Sequence, residues 1–443
     1  MKLYILIVSL FFLQISYAQE TSENPTTKIW TLQESIDYAL ENNIIVKNAA
    51  LNKNLAEVDY SAAKSSRLPN LFGSASQTFS NGNTIDPITS DFVSDQIHST
   101  NLGINSSVTL FQGNQISNQI QQNKLFLEQS IFQEEVEKNN ITLSILETYL
   151  QALFSKENIT IAENNLAVSE KEVLRAKARL DAGTIALNEY TEAQSQAATN
   201  KYNIISAKND YKQFIIQLKQ LLELDPSESM DIAPVDDSKD LITFGIDKLE
   251  LYNSAKNFLP EIAASNLDVE ISEKELDIAK GAYLPTLALT GSMGSGYTSI
   301  NDNTFADQFN VNFNQRLGLT LTIPIFNRNQ TKAAVKTAKI NIEKAEILKQ
   351  STEKAVYLKV ETAYQNALSA YEQVAASEAS KKAAEQSYNL AQKKYELGDL
   401  STTDLVISQN TYTNAQQNYL QSKYLNILYN QLLQFYQGNS IKI

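Results

Sequence analysis

The chain contains no cysteine, and only one histidine and one tryptophan, His98 and Trp30. Without cysteine there can be no disulfide, no thiolate metal site and no lipid carried on an N-terminal cysteine. With His98 alone, at a loop-strand edge, there is no HExxH helix and no clustered Ser-His-acid set, and no phosphate loop is present. Gly291, Gly294 and Gly296 are spaced G-x-x-G-x-G, but inside strand-like sequence rather than at a strand-to-helix turn. Small residues in a crowded strand account for them. A basic excess is also missing: the formal charge is −13, which argues against nucleic acid as a partner. No enzymatic activity, metal or cofactor is expected from such a set. Beyond the first residues, no apolar run reaches the ~18 needed for a membrane-crossing helix.

What is present starts with MKLYILIVSLFFLQISYAQE. One lysine, an apolar run from Leu3 to Leu13 and Ser16-Tyr17-Ala18 make residues 1–18 a secretory signal peptide, cut after Ala18. The exported remainder is expected to be either soluble or embedded through strands. At 43% apolar and 20% charged residues it is a folded chain, not a disordered one.

Glycine and proline are scarce, 13 and 8 in 443 residues, so each one is informative. Residues 114–180 hold none, and Ile116, Ile120, Leu127, Ile131, Val136, Ile141, Ile145, Tyr149 and Leu153 recur at helical spacing. The spacing predicts one helix, roughly 100 Å long at ~1.5 Å per residue. A tube or a coiled-coil stalk uses such a rod.

The rest falls into order around it. A first repeat, 19–225, opens with a polar tail and a helix from about Leu32 to Ser66, capped by Thr31 and Glu34 and ended by Pro69. A weak strand at about 70–80, a turn-rich loop at 81–97 and a better strand at 99–111 follow. Then come the long helix 114–180, a break at Gly183 and a helix over 187–224. Residues 226–240 are an acidic connector. The second repeat, 241–443, repeats the order. It has a helix over 246–281, strands at about 286–298 and 311–323 around a polar loop, a long helix 330–397, a break at Gly398 and a helix over 403–436.

The duplication can be checked by subtraction. Arg67-Leu68-Pro69 answers Tyr283-Leu284-Pro285 at an offset of 216; residues 110–115 answer 325–330, and Gly183 answers Gly398, at 215. Each half thus contributes two strands. In 311–323, Val311, Phe313, Leu317, Leu319, Leu321 and Ile323 alternate with Asn312, Asn314, Arg316, Gly318, Thr320 and Thr322, a pattern shared by a half-buried strand of a soluble sandwich and a strand with lipid on one face and water on the other; the signal peptide and the long helices favour the second. Four strands cannot close a membrane barrel, since the smallest have ~8. Three copies supply twelve, and closure removes every open edge in lipid. The expected fold is therefore mixed: all-α plus membrane β-barrel, a trimeric 12-stranded barrel with four strands per chain. A long helical tunnel continues it, with short helices meeting at a belt where the 226–240 connector lies.

The two helix turns sit opposite the strands. Six residues past each glycine stands an acid, Glu189 after Gly183 and Asp404 after Gly398, and Asp399 follows Gly398 directly. In a trimer, Glu189 and Asp404 would place six carboxylates near one depth, where converging charge attracts cations. They are candidates for lining a periplasmic aperture. The plainer alternative is solvated charge at a helix N-terminus, favoured there by the helix dipole.

The chain resembles the TolC-like outer membrane efflux proteins, the outer membrane factors of Gram-negative tripartite pumps and type I secretion systems. The residues that carry the likeness are Trp30-Thr31-Leu32-Gln33-Glu34-Ser35-Ile36-Asp37-Tyr38-Ala39-Leu40, the strand starts at Leu68-Pro69 and Leu284-Pro285, 319–326, and the segments at Gly183 and Gly398. The resemblance implies a homotrimer in outer membrane lipid. It also implies a periplasmic adaptor, or membrane fusion protein, and an inner-membrane RND or ABC transporter. It makes the chain a passive exit duct for small molecules or polypeptides, and it maps adaptor contact onto Gly183, Thr184, Ile185, Gly398, Asp399 and Leu400. Where some members carry a second aperture acid, this chain has Ile407. The alternative is a periplasmic coiled-coil adaptor or structural protein without a channel, which leaves the paired strands without a role.

Overall fold

The computed structural model describes residues 28–85, 89–235, 247–439 and 441. The expected signal peptide and most of the polar tail lie outside them, as do the last five residues, 236–240, of the 226–240 connector. The chain divides into two compact units. One takes the chain up to Lys47, Lys138–Ala255 and the chain from Lys359 on; the other takes Asn48–Glu137 and Lys256–Leu358.

In chain order the elements are β1 (Lys28–Trp30), α1 (Leu32–Asn42), α2 (Ile44–Ser65), β2 (Asn70–Ile85), β3 (Phe92–Gln112), α3 (Gln115–Asp181) and α4 (Leu187–Leu222). After β4 (Met230–Ile232) come α5 (Lys248–Phe258), α6 (Pro260–Gly281), β5 (Thr286–Thr298), α7 (Phe305–Val311), β6 (Asn314–Thr322), α8 (Gln330–Leu397) and α9 (Thr402–Tyr436). The offset of 216 carries α1 onto α5 and α2 onto α6 residue for residue. The strand-to-helix turns match as well: Gly113 and Asn114 in one half, Arg328 and Asn329 in the other, all have positive φ.

Five boundaries differ from the sequence reading. The helix expected to run unbroken from Leu32 to Ser66 is broken at Asn43, an extended residue whose amide donates to the Leu221 carbonyl at 2.9 Å and whose side-chain oxygen accepts from the Ile45 N–H. The helix expected over 246–281 is broken at the equivalent Leu259, because Pro260 follows and disfavours a helical residue before it. Strands expected at 70–80 and 99–111 run to Ile85 and start at Phe92, since the ladder continues through Asn81↔Gln96, Gly82↔Asp95 and Ile85↔Phe92. Backbone pairing does not need apolar alternation, so polar strand ends read as loop. Finally, the strand expected from 311 begins only at Asn314; residues 305–311 are helix α7, capped by Thr304, which accepts from the Asp307 N–H. The buried Gln308 side chain ties α7 to β5, donating to the Thr298 carbonyl at 3.0 Å and accepting from its N–H at 2.9 Å.

In the second unit the four strands form one antiparallel sheet in the order β2-β3-β5-β6. Its register sorts most of the side chains by face, with Phe72 among the polar ones and Gln77, Thr100, Ser106 and Gln315 among the aliphatic ones. One face carries Leu71, Leu102, Ile104, Leu289, Met293, Leu317, Leu319 and Leu321; the other carries Ser74, Ser76, Asn101, Asn105, Thr290, Ser292, Arg316 and Thr320. The aliphatic face is largely open, with Leu71 at 75% and Leu317 at 79% exposure. A soluble protein would cover such a face. β2 and β6 are left as edges. Where the sheet turns into helix, Gly113 and Gly281 touch backbone to backbone: a Cβ on either would strike the other's carbonyl oxygen.

The core of the first unit includes a clamp on the parallel pair β1–β4. The Tyr149 hydroxyl from α3 donates to the carbonyls of Trp30 and Ala233 at 2.9 and 2.7 Å. Lys156 pairs with Asp231 at 2.6 Å, and Tyr211 from α4 donates to the same carboxylate. Burial, which would raise the Asp231 pKa, is outweighed by these donors, which hold it below the ordinary value. The segment expected to be an acidic connector, 226–240, contains the short strand β4.

Candidate functional site

Both helix turns end in the same way. α3 stops where Gly183 adopts a φ of 72°, its N–H bonded to the Leu180 carbonyl at 2.8 Å while Thr184 N–H reaches Arg179 at 2.9 Å. α8 stops at Gly398, φ 87°, with the equivalent bonds to Tyr395 and Lys394 at 3.1 and 2.9 Å. This pair of bonds satisfies the orphan carbonyls of a helix end, and the left-handed residue it requires favours glycine.

The next helices start differently. α9 is capped by Ser401, whose hydroxyl accepts from the Asp404 N–H at 3.1 Å and donates to the Asp404 carboxylate at 2.8 Å. Asp404 therefore serves its own helix start, with its charge exposed at the positive end of the dipole. α4 starts at Ala186 without a side-chain cap. Its acid, Glu189, is half-buried and reaches across to the other turn, where the buried Thr402 hydroxyl lies 3.2 Å from its carboxylate and 3.3 Å from the Tyr395 hydroxyl. The two turns are thus joined through Glu189, Thr402 and Tyr395. Asp399 is exposed, as are Gly183, Thr184 and Gly398; Ile185 and Leu400 are half-buried, and Leu400 packs on the small core of Tyr388, Tyr395 and Leu405.

A second link joins the same two arms further in. Arg175 on α3 pairs with Glu172 at 2.8 Å and with Glu396 on α8 at 3.3 Å. Glu172 is buried, one of its oxygens has no hydrogen-bond partner, and desolvation pushes its pKa up against the pull of Arg175. Arg179 lies over the Tyr395 ring at 5.3 Å, and Tyr388 stacks on Tyr412 at 5.7 Å, its own pKa pushed up to about 12 by burial. Sequence spacing pointed to Glu189 and Asp404 but not to Arg175, Glu172, Glu396, Thr402 or Tyr395. No motif marks these; only their shared place within a few turns of the glycines could have drawn attention to them. Among the described residues, no group of three His, Asp or Glu could hold a metal ion, and no helix is long and apolar enough to cross a membrane.

Comparison with known proteins gives a consistent answer. The family model described as outer membrane efflux protein matches residues 35–223 and 251–436. The outer membrane protein TolC of Escherichia coli (strain K12) is 21% identical over 309 residues, covering 67% of this chain and 61% of its own. The outer membrane efflux protein BepC of Brucella suis biovar 1 (strain 1330) is 23% identical over 324 residues, covering 72% of this chain and 65% of its own. The chain thus matches somewhat under two thirds of the length of these relatives. Among solved structures, CusC superposes with a TM-score of 0.81 at 16% identity, over 92% of both chains. The Campylobacter jejuni CmeC outer membrane channel gives 0.79 at 19% identity, over 93% of this chain and 87% of its own.

Proposed function

This chain belongs to the outer membrane efflux protein family, and we propose that three copies of it form the outer-membrane exit duct of a tripartite efflux or type I secretion system. The observation that carries the reading is the four-stranded sheet: aliphatic on one face, hydroxyl- and amide-rich on the other, and open at both edges. Twelve such strands close a barrel with lipid outside and water inside. The long helices α3 and α8 continue it as a periplasmic tunnel whose polar lining passes small molecules or polypeptides without gripping them. A periplasmic adaptor meets the turns at Gly183, Thr184, Ile185, Gly398 and Leu400, and an inner-membrane RND or ABC transporter drives the cargo. Asp404, Glu189 and Asp399 face the aperture.

Membrane fractionation, heat-modifiable gel migration and planar-bilayer conductance test this together. The expected result is an outer-membrane protein whose trimer band collapses on boiling and which opens stable conductance steps. A water-soluble monomer without conductance would overturn it. For the aperture, Asp404→Ala is expected to weaken cation preference and cation block; unchanged values would assign Asp404 to helix capping alone.

A further inference from the structure

The aliphatic face of the sheet is not flat. A hollow of about 430 Å³ opens on it, floored by Gly73, Ala75, Leu102, Ile104 and Met293. Its side wall is Phe309 of α7, with Phe313 just beyond that helix. A second hollow, of about 410 Å³, shares Ile104 and Met293 and leads to Leu71, Gly291 and Leu317, nearer the helices. α7 is fastened in place as a wall. Ser295 donates to the Phe309 carbonyl, the Asn312 amide donates to the Gly296 carbonyl at 2.8 Å, and Phe305 stacks on Phe309 at 5.8 Å. The floor has an unexplained gap at Gly73. Its φ is not left-handed, and among the described residues a Cβ there would come no nearer than 4.0 Å to any atom. Neither strain nor packing within the chain asks for glycine. At Gly294, by contrast, a Cβ would lie 2.8 Å from the Leu102 carbonyl oxygen. A glycine inside a strand weakens it and often marks a place where another molecule approaches the backbone.

Further from the helices, the same face turns polar. Beyond the row of Ala75, Leu102 and Ser295 come Gln77 and Thr100, hydrogen-bonded to each other, and then His98, edge-on to Phe79 at 4.9 Å. β2, β3 and β5 hold no lysine or arginine, and Arg316 of β6 lies on the opposite face. We propose that the two hollows hold one acyl chain of an outer-leaflet glycolipid, its tail toward Leu71 and its head at Gln77, Thr100 and His98. The site rests on the exit-duct reading above, in which this face meets lipid, and it continues that surface. The order of tail and head fits, because the helices, and so the periplasm, lie at the Leu71 end. The length fits as well. Six residues of strand from Leu71 to Gln77 span roughly 20 Å, and at a tilt of ~40° they descend roughly 15 Å, half of the ~30 Å hydrocarbon core. Ile104, Met293 and Phe309 supply the apolar contact, with Met293 able to follow a flexible chain. Hydroxyl, amide and imidazole groups match the hydroxyls and amides of a sugar head. A phospholipid head is met by lysine or arginine, which these three strands lack.

Native mass spectrometry of protein extracted from outer membranes in mild detergent reads the occupant directly. The wild-type trimer is expected to carry glycolipid. Gly73→Ile fills the outer hollow with a side chain that favours strand, and is expected to lower the bound glycolipid roughly tenfold. Gln77→Leu with Thr100→Val is expected to lower it too, without narrowing the hollow, and decides the matter should Gly73→Ile fail to reach the membrane. Leu321→Phe, on the same face but nearer the helices than either hollow, leaves it unchanged. A conducting trimer that carries no glycolipid, or that carries as much in both groove variants as in wild type, would overturn the site and leave the exit duct standing. Phospholipid in place of glycolipid would overturn the assigned occupant. A wild type that is neither trimeric nor membrane-bound would overturn the exit duct and the site together.

Discussion

At the scale of single residues, the buried carboxylate of Glu172 is the most exacting group near the tips. It is held by one partner, Arg175, which also reaches Glu396. Arg175→Ala leaves a desolvated charge facing a second acid and is expected to destabilise the protein by about 1–3 kcal/mol, read as a lower thermal midpoint. Folding already holds a proton on Glu172 more tightly than the unfolded chain does, because desolvation raises its pKa above the ordinary 4.5. The buried charge is therefore a cost at neutral pH that protonation removes. The deficit of Arg175→Ala should be largest near neutral pH and shrink as pH falls toward 4.5. Glu172→Gln in the same background should flatten that dependence. A deficit independent of pH would assign the loss to packing of the arginine stem instead.

At the scale of elements, glycines with left-handed backbone play two roles that a substitution series separates. Gly183 has nothing near its missing side chain, so Gly183→Ala meets only backbone strain, about 1 kcal/mol, and Asn should be tolerated. Gly113 has the same sign of φ but lies against the Gly281 carbonyl. Gly113→Ala and Gly113→Asn should both cost several times more and reduce folded protein in the membrane fraction, and Gly281→Ala should do the same without any strain in φ. The sequence showed why turns fall at Gly183 and Gly398, because a glycine after a periodic run is a local signal. It could not show that Gly113 meets Gly281, since that contact joins residues far apart in the chain. The helix break at Leu259 was legible in Pro260, whereas its twin at Asn43 was not, because it depends on an amide bonding a carbonyl in α4.

At the scale of the whole molecule, the internal repeat made the architecture readable. An offset that barely drifts over 443 residues fixes element order in both halves, and the alternation at 317–323 fixes which face is apolar. The alternation at 311–313 misled, because Val311 is the last residue of α7 and residues 312–313 are the turn into β6, so apolar and polar residues alternate there without belonging to a strand. The register of β5 on β6 now allows a paired prediction. Leu319 lies on the aliphatic face beside Leu289, and Thr320, its neighbour in sequence, on the opposite face beside Ala288. Leu319→Arg would put a charge into lipid, at about 2–4 kcal/mol near the bilayer midplane, and should deplete the outer-membrane trimer. Thr320→Arg would put the same charge into water, in a ring of three around the lumen. It should leave assembly intact and shift the ion preference of single channels toward anions. If both variants assembled equally well, the apolar face would not be facing lipid, and the closed barrel that gives the two open edges their purpose would be the wrong assembly for this sheet.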